Sequence, residues 1–370
     1  MKKLCFTILL GTIMATAEAA SAIVVPVSFV EALAPKDTTS SERFRAEYQN
    51  AVTIALEYNK ADLSRCGYQI APQYTFFDAS DELQAFERAR AATSEGKWLI
   101  IGPRRSQQYL VLAKGAADTP TVSTMASSSE VFALEAIHST MAPSNAQMAK
   151  VSAKVARAKA STYFSIVNSD CVSCRDFSKQ FDSSALKVGL KKLGEKEVTG
   201  DDPELGDLLL QLQKLKPQVI LLPNYSKPSS QVMLKLKTLT PAPIFIGADG
   251  WGDSRFGFVG TGTAPDQAMG FTVRGFPPID EGLKTFSVGN RILKKKSSIP
   301  DFPGSGSAQS LIKIVSDLTG FLCGTKPKTK ATFAAAIKKS NPFKPTWGVS
   351  IYKLENANIT FERIEKVSRQ

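Results

Sequence analysis

Leu99-Ile100-Ile101-Gly102-Pro103-Arg104-Arg105-Ser106 carries the signature of the fold in eight residues. The apolar run Trp98–Ile101 is too short for a helix and stops on Gly–Pro. It then gives way to two arginines and a hydroxyl. Such a run, bounded by turn residues, reads as a buried strand. Working outward, similar runs recur at Val24–Phe29, Gln69–Phe76, Thr121–Thr124, Tyr163–Val167, Val219–Leu222, Ile244–Ile246 and Ala268–Thr272. Segments of helical period separate them: Ser41–Tyr58, Asp81–Thr93, Ser144–Lys159, Asp207–Leu215, Ser229–Leu239, Ser307–Thr319 and Thr332–Ser340. Ser144 has the residue type and position of an N-cap. Strands alternating with helices predict α/β layers around parallel sheets.

The N-terminus reads as an export signal. Lys2 and Lys3 precede an apolar stretch, Leu4 to Ala15, and small residues follow with Ala-x-Ala options ending at Ala17, Ala19 and Ala22. Ala20-Ser21-Ala22 is the favoured site, because Ile23 opens the first strand-like run. Cys5 stands too early to be a lipidated cysteine at a cleavage site. Removing residues 1–22 leaves 348 residues, enough for two lobes of ordinary domain size, and lowers the formal charge from +12 to +11. No later stretch approaches the ~20 apolar residues of a membrane span. The excess lysines fall in local runs, Lys187 to Lys196, Lys294 to Lys296 and Lys326 to Lys330. They form no basic helix with interleaved aromatics, so they read as solvated faces and loops, with no nucleic-acid partner.

Four cysteines follow the leader: Cys66, Cys171, Cys174 and Cys323. The close pair Cys171 and Cys174 admits a disulfide, a zinc site or a thioredoxin-type redox pair. An oxidising compartment favours the disulfide. Zinc needs further ligands and the chain holds one histidine, His138, while Asn168-Ser169-Asp170 lacks the redox family's context. A bridge that stiffens its own loop is expected. The single histidine also leaves little room for Ser–His or metal–His chemistry. No Gly-x-Ser-x-Gly elbow and no Gly-Lys-Ser/Thr phosphate loop occurs. Gly304-Ser305-Gly306-Ser307 and Gly260-Thr261-Gly262 lack dinucleotide spacing. Binding without catalysis, metal or cofactor is the expectation.

Several segments, in their order, resemble one family. Phe76-Phe77-Asp78-Ala79-Ser80-Asp81 followed by Gln84-Ala85 is similar to its segment after the second strand. Leu99 to Ser106 is similar to its strand–Gly–Ser segment. Pro120-Thr121-Val122-Ser123-Thr124-Met125-Ala126-Ser127 resembles its next strand and ligand loop. Val219 to Tyr225 and Ile246-Gly247-Ala248-Asp249-Gly250 resemble the corresponding pair in its second half. The family is the class I periplasmic binding proteins, of the leucine/isoleucine/valine-binding type.

The resemblance implies two doubly wound parallel-sheet lobes joined by three hinge crossovers, near Ser139–Ala142, Val273–Phe276 and Asn341–Thr346. Lobe 1 would take residues 23–140 and 275–343, and lobe 2 residues 141–274 and 344–370. It further implies a periplasmic location, a small amino-acid-like ligand between the lobes, a membrane permease of an ABC transporter as partner, and no enzymatic activity or cofactor. Residue by residue, Ser106 and Ser127 match holders of a ligand carboxylate, and Asp249 the acidic partner of its ammonium. Tyr225 and Phe302 match aromatic lining positions. Met125 replaces a small residue and is expected to crowd the carboxylate site. Arg104 and Arg105 are departures that favour extra negative charge on the ligand, and the family's disulfide, at Ser80 and Arg105 here, is missing. Without the resemblance, Ser127 reads equally as the cap of a helix starting near Glu130, Asp249 as a turn residue, and Tyr225 as strand-end packing. A sensory or regulatory envelope protein, signalling to a membrane partner through the same fold, is the alternative function.

Overall fold

Ile23–Leu33 forms β1, and its apolar side chains alternate between two cores, Val25, Val27 and Phe29 on one face and Val30 and Ala32 on the other. The computed structural model describes residues 22–33, 38–200, 202–251, 268–276, 278, 306–345, 347–355 and 358–367. The signal-like residues 1–21, Phe302 and the Gly260 and Gly304 loops lie outside them. β1 is flanked by β2 (Tyr68–Asp78) and β3 (Leu99–Ile101), and β4 (Thr121–Ser123) and β5 (His138–Thr140) complete a sheet in the order β2-β1-β3-β4-β5. All its pairings are parallel. The connecting helices are α1 (Thr38–Cys66), α2 (Glu82–Ser94), α3 (Ser106–Ala116) and the single turn α4 (Ser129–Phe132). Asp81 caps α2 by accepting the Leu83 N–H.

The second sheet repeats this winding. α5 (Asn145–Arg157) leads into β6 (Thr162–Asn168), then α6 (Val172–Lys187), β7 (Lys191–Val198), α7 (Leu208–Leu215), β8 (Val219–Leu222), α8 (Ser226–Lys235), β9 (Ile244–Gly247) and β10 (Gly270–Arg274). The parallel strands run β7-β6-β8-β9-β10, the same 2-1-3-4-5 order as the first sheet. β11 (Val349–Glu355) and β12 (Asn358–Glu365) extend this sheet antiparallel at the β10 side. This repeat of topology has no counterpart in the residues, where no internal repeat is visible. As expected, Ser144 caps α5, in a reciprocal capping box with Gln147.

Three helices fall outside the series drawn from periodicity: α3, the single-turn α4 and α6. In α6 the buried Phe177, Phe181 and Ala185 stand at i, i+4 and i+8, a legible period masked by the polar residues between them. The Lys187–Lys196 run, read as solvated loop, ends in the edge strand β7, whose side chains from Lys191 to Glu197 are all at least partly exposed. Lysines on an edge strand discourage pairing with another chain.

α9 (Gly306–Thr325) and α10 (Lys330–Lys339) return to the first sheet and share its core with α1, through Leu311, Val315, Phe333 and Ile337. Cys66, the last residue of α1, is disulfide-bonded to Cys323 in α9 across a separation of 257 residues. Phe276 and Trp347 belong to this first core, while Val273 and Val349 belong to a core of the second sheet. The described chain therefore passes between the two units at three places, beyond Ala142, at Gly275 and at Gly348. A Cβ at Gly275 would lie 2.4 Å from Pro143 Cδ, so two of the crossings touch where only glycine fits. Among the described residues, no helix is long and apolar enough to cross a membrane.

Candidate functional site

In each sheet the strand order reverses beside the first-wound strand, and loops on either side of that point open a crevice. Among the described residues, the segments that follow β3 and β4 in the first sheet and β6, β8 and β9 in the second meet in a single inter-lobe cluster. Gly102, at the end of β3, has φ 102°, and a Cβ there would sit 1.9 Å from the Val30 carbonyl oxygen. Glycine is required, and the chain turns sharply to present Arg104, Arg105 and Ser106.

Glu31, fully buried at the end of β1, holds that turn. Its carboxylate accepts the Arg104 N–H at 3.2 and 3.3 Å and the Ala32 N–H at 2.9 Å. Burial raises its pKa against the opposing pull of Arg104. The sequence signal for Glu31 is its lone charge inside an apolar strand. Arg104 lays its guanidinium over Phe44, 4.2 Å from the ring centroid.

Ser106 and Ser127 are brought together, but in an order not expected. Ser106 Oγ accepts the N–H groups of Ser127 (3.1 Å) and Ser128 (3.2 Å), so the buried hydroxyl oxygen shapes the loop after β4. Ser127 does not cap α4: the N-cap is Ser128, and the Ser127 hydroxyl instead donates across the interface to Asp249 Oδ2 at 3.1 Å. Ser127 Oγ also lies 3.3 Å from Ser173 Oγ. Met125 turns away from this loop, accepting the Ser307 hydroxyl at 3.1 Å and packing on the first core.

Asp249 opens the short 3₁₀ turn Asp249–Trp251 after β9. Its carboxyl is pushed up from 3.8 to about 6, chiefly by burial, with the Ser127 hydroxyl, the Gly250 N–H and Arg274 pulling the other way. Tyr225, following β8, stacks under Arg105 of the other lobe, whose guanidinium carbon stands 5.2 Å from the ring centroid. The other face of Tyr225's neighbourhood is the Cys171–Cys174 disulfide, which packs with Val167 against it. Cys171 is the N-cap of α6 and its sulfur accepts the Cys174 N–H at 3.1 Å. Ser173, between the two cysteines, is thus held at the interface.

Asp176 and Asn145 also join the lobes, Asn145 by donating its backbone N–H to the Ser127 carbonyl at 2.7 Å. Asp176 Oδ2 accepts the Ser129 N–H at 2.8 Å and the Ser129 hydroxyl at 3.2 Å, capping the start of α4 from the opposite lobe. The same oxygen accepts Asn145 Nδ2 at 2.8 Å, and Asn145 also donates to the Ser173 carbonyl at 3.0 Å. Ser173 and Asp176 were missed because α6 was not read as a helix. Among the described residues no three His, Cys, Asp or Glu side chains converge as metal ligands do.

Comparison with known proteins bears on the fold. No family model matches the chain, and no curated protein matches its sequence. Solved structures do. A leucine-binding protein LivK from Thermotoga maritima superposes with a TM-score of 0.73 at 14% identity, covering 92% of this chain and 99% of that one. The branched-chain amino acid transporter substrate-binding protein LivJ from Streptococcus pneumoniae, in complex with isoleucine, gives 0.69 at 13% identity, over 93% and 100%. A solute-binding protein of an ABC transporter from R. palustris, in complex with benzoate, gives 0.67 at 14%, over 93% and 96%. The architecture is that of the class I periplasmic binding proteins, two doubly wound α/β lobes, as the residues of the five quoted segments had implied.

Proposed function

We propose that this chain, built on the fold of the solute-binding proteins, captures a small amino-acid-like ligand between its lobes for ABC-type uptake. The closed form would be recognised by a membrane permease, with no chemistry performed and no cofactor used. The observation that carries this reading is the convergence of Ser106, Ser127, Tyr225 and Asp249, from four loops of two lobes, on one crevice. Ser106 and Ser127, with the N–H groups of their loops, supply donors for a carboxylate. Asp249 supplies a desolvated carboxylate for an ammonium, and Tyr225 an aromatic wall. Phe302 is added as a lining residue on the resemblance alone. The proposed lobes are residues 23–140 with 275–343 and 141–274 with 344–370; the cores of Phe276, Phe343, Val273 and Val349 support the division, whereas Met141, Ala142 and Trp347 pack in the first core and move its first and last boundaries beyond Ala142 and to Gly348. Calorimetry across a panel of amino acids and small carboxylates tests the reading. Failure of every solute to bind would sink it.

Asp249 adds a pH signature. An ammonium ligand needs the ionised carboxylate, so affinity should hold above neutrality and fall through about pH 6, by up to about tenfold per unit below it. Stability of the free protein should move oppositely. The folded-state pKa lies above the ordinary value, so the protonated form is the favoured one in the fold. This group's penalty is therefore present above about pH 6 and is relieved as pH falls toward 4. Parallel titrations of binding and melting that moved together would refute the assignment.

Export is the second component. The Lys2-Lys3 start, the apolar core and Ala20-Ser21-Ala22 support cleavage before Ile23 and release to the periplasm. Intact-mass measurement of envelope-fraction protein should give a start near Ile23; a full-length cytoplasmic product would exclude it.

One observation favours the sensory alternative. Ser127–Asp249, Ser129–Asp176 and Arg105–Tyr225 join the lobes by direct contacts between their own side chains and backbone. A protein that signals by closing on itself would be built this way. Absence of any bound solute, together with a compact solution envelope, would select that reading.

A further inference from the structure

A second concave site lies on lobe 2 and shares no residue with the cleft cluster. It is a groove of about 290 Å³ between α5 and the C-terminal strand β12, floored by Phe271 at the start of β10. Its α5 wall carries Lys150, Lys154 and, just beyond the helix, Lys159; its β12 wall carries Arg363 and Lys366. Two carboxylates, Glu362 and Glu365, also face it, but both are bonded to Arg363, at 2.5 and 3.0 Å. Among the described residues, none of the four lysines has a carboxylate within ion-pair distance. Lys159 is held at the groove by Phe271, its ammonium 4.9 Å from the ring centroid. Lys150 and Lys154 stand one helical turn apart, where like charges repel.

Two lysines spaced for mutual repulsion, with Lys159 beyond them on the same wall and Lys366 opposite, leave the groove about three charges positive once Arg363 and its two glutamates are counted. A concave wall concentrates that field where a convex, solvated face would disperse it. We propose that this groove is an anion site for a phosphate-bearing ligand with two or more negative charges. The bland alternative, that Lys154 only complements the C-terminal end of α5, accounts for one lysine and not for the three others converging on it.

The chemistry admits two sources, a soluble oligophosphate or the headgroups of an anionic lipid, and separate arms of one experiment distinguish them. The probes are inorganic triphosphate and vesicles of pure phosphatidylglycerol, each with the full chain at low ionic strength. Triphosphate should raise the melting temperature and bind measurably, with affinity falling as salt rises. The double variant Lys150→Gln/Lys154→Gln should weaken that binding about tenfold, and its own melting temperature should rise slightly because the repulsion is gone. A surface control of equal charge change, Lys338→Gln/Lys339→Gln in α10, should leave binding unaltered. Vesicle binding lost in the first variant, without a triphosphate effect, assigns the lipid source and upholds the site. Absence of both, or an equal loss in both variants, overturns it.

Discussion

Asp249→Asn is expected to abolish amino-acid binding while leaving the fold at least as stable as before. If the crevice holds a zwitterion, its ammonium enters a site where the carboxyl is already desolvated enough to titrate near pH 6. Removing one member of such a buried charge pair costs roughly 2–5 kcal/mol, on the order of tens- to thousands-fold in affinity. The fold does not share that cost. Asn keeps an oxygen to accept the Ser127 hydroxyl, and it removes a charge that burial penalises at neutral pH. Loss of binding with an unchanged or raised melting temperature is therefore the expected pair of results. Ser106→Ala should behave differently. It leaves the N–H groups of Ser127 and Ser128 without their acceptor, so it should disorder the loop, lower stability and weaken binding together. Unaltered affinity in Asp249→Asn would remove the ammonium site from this cluster.

The contrast between those two serine and aspartate positions marks what the residues alone could say. The alternation of strands and helices gave the α/β architecture, because apolar runs such as Val219–Leu222 are buried on both faces and carry no ambiguity. The candidate residues Ser106, Ser127, Tyr225 and Asp249 do meet, because each follows a strand on the crevice side of its sheet. What the chain did not disclose is who bonds to whom. Ser106 serves the backbone of a neighbouring loop, and Ser127 reaches the other lobe. Those are pairings across 21 residues within the first lobe and 122 residues between lobes, set by tertiary packing. Glu31 and Asp176 escaped for a related reason. Each is one carboxylate in a segment dominated by another pattern, an apolar strand for Glu31 and a cysteine pair for Asp176. Their partners, Arg104 and Ser129, come from distant loops.

The two disulfides should differ sharply in their contribution to stability, and the Cys66–Cys323 bond should carry nearly all of it. A cross-link limits the unfolded chain in proportion to the logarithm of the loop it closes. The Cys171–Cys174 ring closes across a separation of only 3 residues, whereas Cys66–Cys323 closes across 257. Cys66 ends α1, near the start of the first lobe, and Cys323 sits in α9, which rejoins that lobe only after the five parallel strands of the second sheet have been wound. The bond therefore pins the two segments of the lobe to each other before either can drift away with the intervening chain. Cys66→Ser/Cys323→Ser should lower unfolding free energy by about 3–5 kcal/mol. The double variant at Cys171 and Cys174 should cost little globally. It should instead loosen Ser173 and with it the contacts to Ser127 and Asn145, weakening closure more than folding. Chemical denaturation of both double variants beside the wild type checks this. Equal losses in the two would mean that the disulfides act through local packing rather than through the entropy of the unfolded chain.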